Sequence, residues 1–356
     1  MKGYLVLEDG TIFEGNSFGA IKDVFGEVVF STGMTGYQES LTDPSYAGQI
    51  LASSYPMIGN YGINKRDSQS KKVQVWGYVV NELCDTPSHR LCGATMDEFL
   101  HRHDIPGISN IDTRALIRKL RMKGTMKGAI TSSSPDDVLD RIRGMDEPDK
   151  ENLVARVSTP SLNSYVSGKN HSVVVMDCGV KDGIINELRA RFDVHQVPFD
   201  YTIEEIRALE PDGVFVTNGP GNPAHQELRE TIVATLAKLK DEVPMMGICL
   251  GNQLIAIMLG AKTYKLKFGH RGVNQPVGSG ERVFVTSQNH GFAVDGQSAC
   301  DAGLEVTFKN LNDDTVEGMR HSELPIFSVQ FHPEARPGPQ DTTFLFDEFA
   351  KMMEEP

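Results

Sequence analysis

Residues 243–260 read VPMMGICLGNQLIAIMLG. VPMMGIC is a short apolar run of the kind that forms a buried strand, and GNQLIAIMLG carries apolar residues at helical spacing. Where they join, Gly247-Ile248-Cys249-Leu250-Gly251 places one glycine two residues before a cysteine and another two residues after it. This is the nucleophile-elbow pattern with cysteine in place of serine, because a sharp strand-to-helix turn needs small neighbours. The turn lifts the sulfur out at the carboxyl end of a strand. It also sets it at a helix N-terminus, whose partial positive charge favours a thiolate. A thiol buried between a core strand and a core helix would show the same local pattern, since cysteine is among the most buried residue types.

The flanking sequence alternates. SVVVMD (172–177), DVHQVPF (193–199), DGVFVTN (212–218) and IFSVQF (326–331) read as strands. DGIINELRARF (182–192), TIEEIRALE (202–210), HQELRETIVATLAKL (225–239) and TTFLFDEFAKMM (342–353) read as helices. Strand–helix alternation with near-continuous apolar strands predicts an α/β domain: a mostly parallel open sheet with flanking helices. From Lys262 onward the pattern shortens into strands and turns. Upstream, YLVLEDGTIFEG (4–15) predicts a hairpin turning at Asp9-Gly10. GEVVF and QILASSYP follow as strands, then a helix at MDEFLHRH and another over 112–121 led by the capping residues Ser109 and Asn110. KGAITS and PDDVLDRIRG add a strand and a short helix. This is a smaller α/β domain with a largely β first half. The polar, Ser- and Asn-rich stretch between them, broken by Pro148 and Pro160, reads as a linker. The expected organisation is a domain over 1–150, a linker over 151–170 and a second domain over 171–356.

Two further motifs lie at predicted strand ends. Phe331-His332-Pro333-Glu334 follows IFSVQ. Proline biases the preceding residue toward extended backbone, and in an extended segment residues i and i+2 share a side. His332 and Glu334 can thus address one cleft, as a base and the acceptor that orients it. A histidine taken alone is more often a surface or core residue. Asn218-Gly219-Pro220-Gly221-Asn222-Pro223 follows DGVFVT. It is a rigid turn able to present backbone N–H groups to an oxyanion; alone it reads equally as a plain strand–helix connection. Cys178, in MDCGVK, is a second thiol near a strand end, but it lacks the elbow glycines.

GICLGNQ, FHPEA and TNGPGNP together resemble a class I (triad) glutamine amidotransferase from about His171 to the end. STGMTGYQESLTDPSYAGQILASSYPMIGNYGIN, PGISNIDTRALIRKLRMKG, FGHRGVNQPV and SQNHGFAVD extend the resemblance to the small subunit of carbamoyl-phosphate synthase over nearly the whole chain. The resemblance implies that Cys249 attacks glutamine, that His332 shuttles the proton to departing ammonia and that Glu334 orients His332. It implies backbone N–H donors from Gly221 and Leu250 at the oxyanion. It also implies L-glutamine contacts from Ser45, Gly219, Gly221, Leu250, Gln253, Asn289, Gly291 and Phe292. Ser45 falls in the first domain, which places the implied site near where the domains meet; from spacing alone it is a turn residue in TDPSY. Many relatives carry His where this chain has Asn252, and Asn cannot accept a proton as His can. The resemblance further implies no metal or cofactor on this chain. ATP with Mg2+ would serve a separate large (synthetase) subunit that receives the ammonia, and no GxxxxGK[ST] phosphate loop occurs here.

Composition narrows the alternatives. The chain has 356 residues, which at ~100–200 residues per domain suggests two domains. A net charge of −13 argues against general nucleic-acid binding and against docking on anionic membranes. The most apolar window, 243–261, is interrupted by Asn252 and Gln253. The opening MKGYLVLEDG reaches Glu8 and Asp9 before a secretory core could form. A cytoplasmic protein is expected. The five cysteines are odd in number and contain no CxxC pair, which disfavours a disulfide framework or a thiolate zinc site. The same elbow could serve an amidotransferase feeding anthranilate or guanylate synthesis, a hydrolase of peptides or esters, or a non-enzymatic scaffold. Neither another amidotransferase nor such a hydrolase gives a reason for the first domain's match, and the joint presence of Cys249, His332 and Glu334 speaks against a scaffold. The sequence does not choose between arginine and pyrimidine synthesis for the product.

Overall fold

The computed structural model describes residues 1–354. The chain divides into two compact units, Met1–Lys150 and the residues from Glu151 onward.

In the first unit, β1 (Lys2–Leu7) and β2 (Ile12–Gly19) form the expected hairpin. It is closed by Leu7 and Gly10, the latter with φ 84°. Further strands are β3 (Val24–Ser31), β4 (Gln49–Ser53), β6 (Gly77–Val79), β8 (Pro106–Ser109) and β9 (Met126–Thr131), with β5 (Met57–Ile58) and β7 (Glu82–Leu83) as a separate pair. Seven of them close into a barrel in the order β1-β2-β8-β6-β4-β3-β9. Closure removes exposed sheet edges. The helix Thr113–Lys123 is capped by Asp112, whose side chain accepts from the Ala115 N–H. The expected caps are elsewhere: Ser109 ends β8, and Asn110 turns with φ 60°.

The second unit is a ten-stranded sheet. Its strands are β10 (Asn163–Tyr165), β11 (Ser172–Asp177), β12 (Asp193–Pro198), β13 (Gly213–Val216), β14 (Met245–Ile248), β15 (Thr263–Ser279), β16 (Arg282–Val294), β17 (Leu304–Asn310), β18 (Val316–His321) and β19 (Ile326–Val329). The order is β10-β12-β11-β13-β14-β19-β18-β17-β15-β16. The centre, β12 to β19, is parallel, and antiparallel strands extend it on both sides. Alternate residues of β11 face opposite cores. Val173 and Val175 pack with the helices Asp182–Arg191 and Phe344–Glu354; Val174 and Met176 pack with Ile206, Leu236 and Leu254 from the other layer. Burial on both faces explains why the central strands read as unbroken apolar runs.

Two expectations are corrected. The stretch 151–170 is not a free linker: it includes the short helix Val154–Val157, with Val154 fully buried, and β10, which pairs with β12. Segments with partners for their backbone and side chains become part of a domain whatever their composition. The region after Lys262 runs as short strands only from β17 onward; before them, β15 and β16 make one long hairpin of 17 and 13 residues. Register shifts between Lys265 and His270, and between Gly272 and Gln275, break the alternation a strand would show.

The elbow is fixed sterically. A Cβ on Gly251 would lie 2.1 Å from the Val216 carbonyl oxygen, and one on Gly247 would lie 2.7 Å from the Gly251 backbone. Gly251→Ala should therefore cost ~3 kcal/mol or more in urea denaturation, because the obstacle is backbone of a central strand. Gly260→Ala, at φ 103° with open space around it, should cost only ~1–2 kcal/mol. Equal costs at the two positions would contradict this reading of the corner.

Candidate active site

Cys249 sits between β14 and the helix Leu250–Leu259 with φ 56° and ψ −103°, a conformation L-residues avoid unless their surroundings impose it. Its N–H donates to the Val329 carbonyl at 2.9 Å, and the Gly251 N–H donates to Thr217 at 3.0 Å. These bonds tie the corner to the neighbouring strands β19 and β13. Cys249 is 2% exposed, and its thiol donates to the Asn289 carbonyl of β16 at 3.6 Å. Leu250 is the first residue of the helix, where an N–H has no intrahelical partner.

His332 stands three residues past the end of β19, the parallel neighbour of β14, so it emerges at the same sheet end as Cys249. Its N–H donates to the Ser287 carbonyl at 2.9 Å. Its ring is buried: Nδ1 lies 2.7 Å from Glu334 Oε1, and Nε2 has no hydrogen bond among the described residues. The proton on Nδ1 follows from the carboxylate beside it, which leaves Nε2 as the acceptor.

Glu334 is fully buried, and Lys181, itself 2% exposed, donates from Nζ to Glu334 Oε1 at 2.7 Å and to the Ala335 carbonyl at 2.6 Å. Burial pushes the Glu334 carboxyl up. The Lys181 ammonium and then the His332 ring outweigh it and hold the carboxyl at about 2. Lys181 was not singled out in the sequence. Its partner lies 153 residues away, and only the position of Lys181 just after β11, at the same sheet end, could have suggested it.

The loop after β13 is stitched to the end of β11. The Cys178 N–H donates to Thr217 Oγ1 at 2.9 Å, and the Lys181 N–H donates to Asn218 Oδ1 at 3.2 Å. A Cβ on Gly219 would meet the Cys178 carbonyl at 2.1 Å and the Leu250 side chain at 2.9 Å, so this loop abuts the elbow. Gly221 follows with φ 93°. Cys178 is fully buried, and burial followed by the Asp177 charge pushes its thiol far up, which removes it as a rival nucleophile.

Gln253 and Asn252 belong to a buried network rather than pointing at solvent. Gln253 Nε2 donates to the Phe292 carbonyl at 2.8 Å and to Gln330 Oε1 at 2.9 Å. Asn252 accepts from Ser328 Oγ at 2.8 Å and donates to Gln330 at 3.3 Å. Asn252 thus braces the helix against β19 and needs no titrating ring. Asn289, Gly291 and Phe292 all lie on β16. Ser45 lies in the first unit, buried in the turn Pro44–Tyr46, its N–H donating to Asp43 Oδ1 at 2.9 Å.

A cysteine in a strained elbow and an oriented, buried His–Glu pair, at one end of a largely parallel sheet, define the class: residues 174–352 match the class-I glutamine amidotransferase family model. Residues 5–130 match the CPSase domain of the carbamoyl-phosphate synthase small chain. A carbamoyl phosphate synthase small chain from Methanopyrus kandleri is 50% identical over 100% of both chains. One from Archaeoglobus fulgidus is 49% identical over 100% of this chain and 99% of that one. A carbamoyl phosphate synthase pyrimidine-specific small chain from Bacillus subtilis is 48% identical over 99% and 96%. The chain belongs to the carbamoyl-phosphate synthase small chain family.

Lys181→Met would strand a buried carboxylate, and should cost about 3–5 kcal/mol in urea denaturation, more than Lys181→Met combined with Glu334→Gln. A folded-state pKa held below the ordinary 4.5 means Glu334 stabilises the fold above pH 4.5, and that contribution is lost as pH falls toward about 2. Comparing denaturation of the wild type and Glu334→Gln across that window should show the gap closing on acidification. A gap constant with pH would contradict the charged, Lys181-paired state.

Proposed function

We propose that this chain is the glutaminase subunit of a carbamoyl-phosphate synthase, hydrolysing L-glutamine to glutamate and ammonia at Cys249. The observation that carries the reading is the strained, strand-tethered Cys249 at the same sheet end as a His332 whose Nδ1 is committed to Glu334.

The Cys249 sulfur, its proton passed to His332 Nε2, attacks the carboxamide carbon of glutamine. The C=O electrons move onto oxygen, and the N–H groups of Gly221 and Leu250 receive the oxyanion. The oxyanion re-forms the carbonyl and the C–N bond breaks. His332 delivers its proton to the departing nitrogen, so ammonia leaves and a cysteinyl thioester remains. Water then attacks the thioester while His332 takes one of its protons; the C–S bond breaks, giving glutamate and the restored thiol. Glu334 keeps His332 in the working tautomer and stabilises the imidazolium formed at each step. Lys181 keeps Glu334 ionised and in place. Gly219, Gln253, Asn289, Gly291 and Phe292 provide the backbone and side-chain surface for glutamine.

Ammonia is passed to a separate large subunit, which makes carbamoyl phosphate from bicarbonate with ATP and Mg2+. No cofactor is needed for the hydrolysis step on this chain. A protected route between subunits follows from the chemistry, since free ammonia would equilibrate with solvent. No helix among the described residues is long and apolar enough to cross a membrane.

In the complex with its large subunit, Cys249→Ser should lose glutamine-dependent carbamoyl phosphate synthesis by ~10³-fold or more, while synthesis from added ammonia is retained. Equal loss of both activities would overturn the division of labour.

A further inference from the structure

Away from the elbow, β15, β16 and β18 bring His270, His290 and Glu317 together in the interior, 8%, 5% and 0% exposed. One nitrogen of each ring and one carboxylate oxygen lie within 4.8 Å of one another. We propose that this cluster is a Zn2+ site, with His270 Nδ1, His290 Nε2 and the Glu317 carboxylate as ligands and Gln288 Oε1 in the fourth position.

The hydrogen bonds around the two rings leave one lone pair of each on the cluster side. His270 Nε2 lies 2.8 Å from the Asp313 carboxylate, so it carries the proton, and Nδ1 faces Glu317 Oε1 at 3.5 Å. The Asn310 amide lies 3.5 Å from Nδ1 and donates to Glu317 Oε1 at 3.3 Å, so it must swing aside when an ion enters. His290 Nδ1 lies 2.8 Å from the Phe292 carbonyl, so it too is a donor and Nε2 is left as a lone pair. A ligating histidine typically gives its other N–H to a carboxylate or a backbone carbonyl in this way. Glu317 Oε2 is buried and has no hydrogen bond among the described residues.

The strongest indication is a mismatch. The Thr286 hydroxyl donates to the Gln275 carbonyl at 3.0 Å, so it must accept from Gln288 Nε2 at 3.2 Å. That fixes the Gln288 amide and turns its Oε1 toward His290 Nε2 at 3.2 Å, an acceptor against an acceptor. A cation between the two atoms would satisfy both lone pairs. Two imidazoles with a carboxylate and an amide oxygen suit Zn2+, whose bonds of ~2.0–2.2 Å set ligand atoms ~3.3 Å apart. The His270–Glu317 distance already matches, and the remaining ligands must draw inward. Nothing in the sequence marks the site, because its ligands are separated by twenty and twenty-seven residues and belong to three strands.

The test is zinc binding by the full chain after dialysis against chelator, measured by competition with a chromogenic chelator. A Cys249→Ala background removes thiolate capture at the elbow. About one equivalent should bind, and Glu317→Gln and His270→Asn should each remove it. Asp313→Asn should weaken it ~10–100-fold by loosening His270. Crystals of zinc-loaded wild type should give an anomalous peak between His270, His290 and Glu317, a readout that does not require the variants to fold. No stoichiometric binding, binding unchanged in the Glu317 and His270 variants, or an anomalous peak only elsewhere would overturn the proposal and leave the cluster as a proton-sharing brace.

Discussion

The absence of two side chains governs this domain. Gly251 lies so close to the Val216 carbonyl, and Gly247 so close to Gly251, that the chain can turn from strand to helix only where no Cβ intrudes. The residue between them must absorb the turn. Cys249 does so at φ 56°, a strain that the bonds from Cys249 to Val329 and from Gly251 to Thr217 hold in place. Strain at one residue is affordable because β13, β14 and β19 are buried on both faces and cannot shift independently. The result is a cysteine whose Cα–Cβ direction is set by the sheet.

The same logic applies to the charges. Lys181 and Glu334 are both almost wholly inaccessible, and an isolated buried charge is costly. Each is stabilised by the other and by further groups: Glu334 by His332, Lys181 by the Ala335 carbonyl. Such a pair contributes little net stability, but it dictates one arrangement. Here that arrangement sets the tautomer of His332. Sterics at the elbow and electrostatics in the His–Glu–Lys chain thus converge on one end of the sheet, where crevices of open α/β sheets bind ligands.

Much of this was legible. The apolar runs 172–177, 213–216 and 245–248 read as central strands because they alternate with helical segments, and the glycines around Cys249 marked a candidate elbow. His332 and Glu334 could be paired because an extended i, i+2 relation is local. What could not be read is non-local. Lys181 reaches Glu334 across 153 residues. The barrel of the first unit depends on β1 pairing with β9, more than a hundred residues apart. Bulges hid the length of the hairpin from Thr263 to Val294, and Asp112 rather than Ser109 or Asn110 proved to be the helix cap. Asn252, read as a departure from the family pattern, proves to be a structural amide held by Ser328 and Gln330.

The central claim is that the elbow sulfur becomes covalently bound to the glutamine carbon skeleton. The most direct measurement is to quench the complex with acid during steady glutamine turnover and map the adducts by peptide mass spectrometry. The account predicts an acid-stable glutamyl thioester on the peptide containing Cys249. Glutamine consumption with no adduct, or an adduct on another cysteine such as Cys178, would contradict it.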